Sequence, residues 1–353
     1  MTTHCTTVKI ERMWTMMKRT LPRHLILLCC IASAAAFGQD DRESDAILNT
    51  PRPGIASVQT PFAALKPQAS WKIGGELAYW VLPTREAVWA VSAKPYSVRR
   101  IDPKTGEIVA TIALPGEVCS KPELAFGTLW VPVCSKKPAV LRIDPRTNKV
   151  GATVSVGWIA PDGDITSSAD SLWVVTANDA TLSRINPDTG AVRQRVHVPR
   201  GSFNPLYSDG VVWITSADEN LLTAIDASSG DVLGSVSVGL KPRFLTAGGG
   251  SIWTLNQGDG SVSRIDAKSR KVVATIAAGL QGEGGEICYG ADTIWATVFT
   301  LPLTRIDPST DKTVRQWKGP GGDSLGCGAD AVWLMDYIRG TLARIPYESI
   351  LKP

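Results

Sequence analysis

Seven positions in this chain hold equivalent places in a repeated pattern and carry side chains that can bear charge or accept a ligand. They are Glu76, Glu123, Asp164, Asn204, Arg243, Glu286 and Asp323, each lying 7 to 13 residues ahead of a tryptophan. Five of the seven are acidic. Carboxylates gathered in a partly dry funnel repel one another unless a cation or a cationic group sits among them. If the acids converge, a hard divalent cation such as calcium or magnesium, held by oxygen ligands, is the chemistry they fit. Solvated loop acids with no common partner are the plain alternative. No hydrolytic triad is apparent.

The elements that must position these residues are short and β-like. Tryptophans recur at Trp89, Trp130, Trp173, Trp213, Trp253, Trp295 and Trp333, with separations of 41, 43, 40, 40, 42 and 38. Eleven to thirteen residues after each comes an isoleucine that opens a turn, as in Ile101-Asp102-Pro103, Ile143-Asp144-Pro145, Ile306-Asp307-Pro308 and Ile345-Pro346. Two independent markers sharing one period of this length mean a propeller, solenoid or array. Within a unit, Phe244 to Ala247, Ser251 to Asn256, Ser261 to Asp266 and Lys271 to Ile276 are β-branched or aromatic runs separated by turn residues, which gives four strands. Sequences such as Asp102-Pro103-Lys104-Thr105-Gly106 are hairpin chemistry: aspartate accepts from the backbone two residues on, proline fixes φ, and glycine supplies a positive φ. Each tryptophan is expected in the core between units, and the arginine before each isoleucine is expected to cover apolar surface with its stem.

These features predict an all-β, seven-bladed β-propeller of four-stranded blades. The seventh unit stops one strand short, and Ser70-Trp71-Lys72-Ile73 is the expected missing strand, so an N-terminal strand completes the last blade. The inner strand starts then open onto one face around the channel. The seven positions named first become a channel mouth, with a polar rim from Lys94, Tyr96, Lys136, Lys137, Asn178, Asp179, Asp218, Glu219, Asn256, Asp259, Asp336, Tyr337 and Arg339.

Ahead of the repeats, Lys18, Arg19 and Arg23 precede the apolar run Leu25 to Ala32 and a small-residue stretch, which reads as a signal peptide over 1–38. Met17 is a natural start for it, so residues 1–16 read as an over-extended beginning. Residues 39–66 are polar and proline-bearing and read as a linker, leaving 67–353 as the propeller. The leader takes five of the 37 Lys/Arg and one of the 33 Asp/Glu, leaving 32 of each. A balance near zero gives no electrostatic reason to expect nucleic acid or an anionic membrane as partner, and the apolar run is too short to span a bilayer. A periplasmic or extracellular monomer that meets a protein or small-molecule ligand is the expectation. Cys5, Cys29 and Cys30 leave with the leader. Of the four remaining cysteines, Cys119 and Cys134 flank a tight turn near Gly127 and are the expected disulfide, whereas Cys288 and Cys327 read as buried thiols.

The unit of Leu/Val-Trp-Val, then Arg-Ile-Asp-Pro-x-Thr-Gly, then a Val-x-Thr-Ile-like outer strand, resembles the YVTN-repeat and virginiamycin B lyase-like propellers over about residues 68–350. That resemblance is specific for fold and implies, for the lyases, histidine and glutamate near magnesium. His197, the one histidine beyond the leader, lies in the outer run Val196-His197-Val198, so that chemistry does not carry over. A gluconolactonase-like metal site needs no histidine, and Glu76, Asn204, Asn256 and Glu286 are its candidate ligands. Two readings stay open: a non-catalytic exported binding scaffold, and a metal-dependent hydrolase or lyase using the same mouth. No repeat signature for a quinone cofactor is recognisable.

Overall fold

The computed structural model describes residues 54–74, 77–93, 95–134, 137–157, 159, 163–177 and 180–352. The expected leader therefore lies outside the described residues, as do Glu76, Lys94, Lys136, Asn178 and Asp179. Seven sheets follow one another around a ring; five have their strands in chain order from the axis outward, and blades six and seven each take an added N-terminal strand at the outer edge. Blade five is typical, with strands Pro242–Gly248, Ser251–Asn256, Ser261–Asp266 and Lys271–Ala277. The seven-bladed propeller read from the repeat is the fold found.

Tryptophan and arginine together explain why the blades stack. Each of the seven repeat tryptophans is buried in the second strand of its blade. The arginine before the isoleucine stands directly opposite it on the third strand, in the pairs Trp89↔Arg100, Trp130↔Arg142, Trp173↔Arg184, Trp253↔Arg264, Trp295↔Arg305 and Trp333↔Arg344. Guanidinium groups lie over the indole rings of Trp89, Trp130, Trp173, Trp253 and Trp333 at 4.9 to 6.0 Å. This contact adds a cation–π attraction to the covering role expected of the stems. Their heads then reach the turn of the next blade: Arg142 donates to Asp188 O at 3.0 Å, Arg184 to Ser228 O at 2.6 Å and Arg264 to Pro308 O at 2.8 Å. In blade four the same place holds Ala224, opposite Trp213. A cavity of about 260 Å³ opens there between blades four and five, and Trp213 Nε1 has no partner.

The ring closes as its ends imply. Strand Ala69–Lys72 pairs antiparallel with Thr341–Pro346 of blade seven, and Trp71 stacks on Trp333 with ring centroids 5.8 Å apart. The stretch read from composition as linker is described from residue 54, and there it is tied down. Gln59–Pro61 adds a fifth, parallel strand to blade six, while the buried Gln316 amide accepts from Ile55 N at 2.7 Å and donates to Ala278 O at 2.7 Å. Phe62 and Leu65 pack against the core shared by blades six and seven.

Cys119 is joined to Cys134, with Cα atoms 5.4 Å apart, across the short bridge Val118↔Val133. Cys288 is joined to Cys327, Cα atoms 5.7 Å apart, which corrects their reading as thiols. Inner strands of neighbouring blades run side by side at the axis, so equivalent places in adjacent units meet within the reach of a disulfide.

Candidate functional site

Inner strands begin at one end of the channel, and that end concentrates charge. Glu123 opens the inner strand Glu123–Ala125 of blade two, Glu286 opens Glu286–Gly290 of blade six, and Asp164 immediately precedes Ile165–Ser167 of blade three. The residue among them is one that the spacing of acids does not mark. Lys121, two positions before Glu123, crosses from blade two to blade six and places Nζ 3.4 Å from Glu286 Oε2. Its backbone N–H donates to Asp164 Oδ1 at 3.3 Å. The neck is thus three carboxylates around one ammonium of the chain itself.

Burial sets the electrostatics of this group. Removal from water and the nearby Glu286 push the Asp164 carboxyl up to about 7, against the pull of Lys121. Burial likewise raises Glu286, opposed by Lys121 and by the Ile287 N–H that its Oε1 accepts at 3.1 Å. Glu123 is raised by burial too, partly offset by the Ser167 hydroxyl donating to it at 2.6 Å. For Lys121, burial works against the charge, but Glu286 and Asp164 outweigh it and hold the ammonium above its usual range. Each charge exists there because of the others.

The remaining predicted mouth residues divide. Asn204 is fully buried beside the neck, its Oδ1 accepting Asp164 N at 3.2 Å and its Nδ2 without a partner. Arg243 lies 5.6 Å from the rings of both Phe203 and Phe244 and 3.9 Å from Glu283, one blade round from Asn204. Asp323 opens the inner strand of blade seven, in register with Asp336. Asn256 does not belong to the mouth surface. It is buried, accepting from Thr254 Oγ1 and donating to Ser261 and Ser263, each at 2.9 Å. Rim acids are spent on local backbone: Glu219 accepts Arg200 N at 2.9 Å and Asp259 accepts Leu240 N at 2.8 Å.

Of the four candidate metal ligands, Glu76 lies outside the described residues, and Asn204, Asn256 and Glu286 each engage other groups of the chain. Asn256 is committed to its own blade, Glu286 faces an ammonium, and among the described residues no three His, Cys, Asp or Glu side chains form a metal-holding group. His197 ends an outer strand and is exposed at the perimeter.

Beside the neck stands an aromatic group largely invisible to the acid pattern. Tyr79 and Trp80, on the inner strand of blade one, have centroids 5.3 Å apart; Tyr337 of blade seven lies 5.4 Å from Tyr79, and Phe299 of blade six 6.0 Å from Tyr337. Burial and the adjacent Tyr337 drive the Tyr79 hydroxyl well above the ordinary phenol range, so it stays neutral and donates. Ile338 beside them is half exposed.

Fold and site together define a seven-bladed propeller with a charge-locked neck and an aromatic, polar rim. A family model described as outer membrane protein assembly factor BamB matches residues 136–292. Two solved structures share the architecture. BamB from Moraxella catarrhalis superposes with a TM-score of 0.61 at 13% identity, over 79% of this chain and 99% of that one. Virginiamycin B lyase from Staphylococcus aureus superposes with a TM-score of 0.66 at 17% identity, over 79% of this chain and 98% of that one. The likeness read from the repeat to virginiamycin B lyase-like propellers is thus found at the level of fold. No curated protein sequence matches the chain.

Proposed function

We propose that this chain is an exported, non-catalytic binding scaffold that engages a protein partner through the rim of its channel mouth. The observation that carries the reading is the Lys121 side chain among the three neck carboxylates, which supplies internally the cation they require. An ammonium of the chain already seated among the neck acids leaves the mouth as a recognition surface, with Tyr79, Trp80, Tyr337 and Ile338 as aromatic and aliphatic contacts flanked by polar groups. Such a mixture suits a protein interface, where aromatic anchors sit inside a polar rim. The match to an assembly-factor family model supports a protein as the partner. Two disulfides and the leader composition fit an oxidising, envelope or extracellular setting.

Photo-crosslinking in the producing cell tests this. A photoreactive phenylalanine at Trp80 or Ile338 is expected to give a discrete adduct that the same residue at Val232, on the perimeter, does not. Adducts from Val232 alone, or from none of the three, would refute the reading. The second reading, a hydrolase or lyase using a divalent cation, draws on Asp164, whose carboxyl at about 7 is suited to proton transfer near neutrality. Titration with calcium and magnesium separates the two.

A further inference from the structure

The face opposite the mouth carries a feature that the mouth reading leaves unused. Four blades turn from first to second strand through two residues that both have positive φ, the geometry of a type I′ hairpin. Three of these turns use small or turn-forming residues: Asp209-Gly210 (φ 47 and 83), Gly249-Gly250 (59 and 71) and Ala291-Asp292 (51 and 55). Blade two uses Phe126-Gly127, at φ 53 and 68. A bulky side chain in the left-handed region is disfavoured, and burial does not compensate for it here. Phe126 is 42% exposed and Leu124 beside it 38%. The turn is held from beneath, where Trp130 Nε1 donates to Ala125 O at 3.0 Å and Arg142 lies 5.0 Å over the Trp130 ring. A rigid base therefore presents an aromatic ring to solvent in a conformation that Asn, Asp or Gly would adopt more easily.

Phe126 and Leu124 border a groove of about 1030 Å³ between blades one and two. Its charged lining is Arg85, Arg142, Arg146 and Lys149 against Glu86 and Asp144. The Asp144 carboxylate accepts Arg146 N at 2.8 Å within its own turn and lies 3.7 Å from Arg146 Nε, while the Arg146 side chain remains 89% exposed. The groove thus offers an apolar anchor point inside a surplus of positive charge.

We propose that this groove binds an extended acidic segment of a partner protein, with one aliphatic or aromatic side chain seated against Phe126 and Leu124. Charge complementarity selects an acidic segment, and the exposed ring selects an apolar residue within it. Glu86 on the lining and the small surplus of cations over acids are a poor match for the continuous phosphates of nucleic acid.

The test is panning of a random peptide library on the purified full chain. Binding of the enriched peptides is then measured by fluorescence anisotropy to the wild type and to Phe126→Asn, Arg146→Glu and the mouth variant Tyr337→Ala. Enriched peptides are expected to be acidic with an apolar residue. They should lose about tenfold in affinity with Phe126→Asn, the loss expected of a central anchor, weaken with Arg146→Glu, and be unaffected by Tyr337→Ala. Asparagine accepts positive φ, so Phe126→Asn should melt at the wild-type temperature or about 2 °C higher. Failure to enrich peptides, enrichment of sequences without net negative charge, or binding insensitive to Phe126→Asn would overturn the proposal. A lower melting temperature for Phe126→Asn would do so as well, since it would make the ring a packing residue.

Discussion

At the scale of single residues, Lys121 decides what the acids of this protein are for. Three buried carboxylates without a cation would hold their protons or draw one in from solution. With an ammonium between blades two and six, Glu286 is paired while Asp164 is left near its midpoint at about 7. The pH consequence has a definite sign. A carboxyl whose folded pKa is raised binds its proton more tightly in the native state, so its contribution to stability is complete below the unfolded value of 3.8 and is lost as pH rises through about 7. Asp164→Asn keeps the acceptor for Lys121 N and removes the titration. Its melting temperature should therefore exceed that of the wild type at pH 8 and converge with it near pH 4. Parallel melting curves across that range would show that Asp164 does not carry this effect.

At the scale of the blade, the repeat arginine is a tie between neighbours as well as a cover for tryptophan. Arg264 stacks 4.9 Å over Trp253 and donates to Pro308 O at 2.8 Å and Asp311 Oδ1 at 2.9 Å, both in the next blade. Arg264→Ala is expected to cost about 2 kcal/mol through lost stacking and lost charged hydrogen bonds. Arg264→Lys should recover only a minority of that, because an ammonium lacks the planar fork. Urea unfolding measures both, and full recovery by lysine would contradict the stacking account.

The sequence made this level of organisation legible, because tryptophan and the Arg-Ile-Asp-Pro turn each repeat with the blade. Those markers placed the strands and the closing strand near Trp71. They could not show that equivalent cysteines in adjacent blades meet, since the contact arises from how inner strands converge at the axis. Lys121 stayed hidden for a related reason. It stands outside the seven aligned positions, and its meaning comes from Glu286 on a blade most of the way across the ring, 165 residues later in the chain. Asn256 erred in the other direction, because a polar residue at the end of a strand looks the same in sequence whether it faces the channel or its own sheet.

At the scale of the whole molecule, closure gives a rigid ring with two unlike faces. One end of the channel holds an internal ammonium among its acids and is rimmed by aromatic rings; the other carries basic turns around Phe126. Fold neighbours with such different names as an assembly factor and a lyase show that the ring alone does not choose between binding and catalysis. The choice rests on whether the neck has room for an external cation. Calorimetric titration of calcium and magnesium into the wild type and into Lys121→Gln asks this directly. The internal lysine predicts no saturable heat for the wild type and saturable binding only once Lys121 is neutralised. Saturable binding of either ion to the wild-type protein would contradict it.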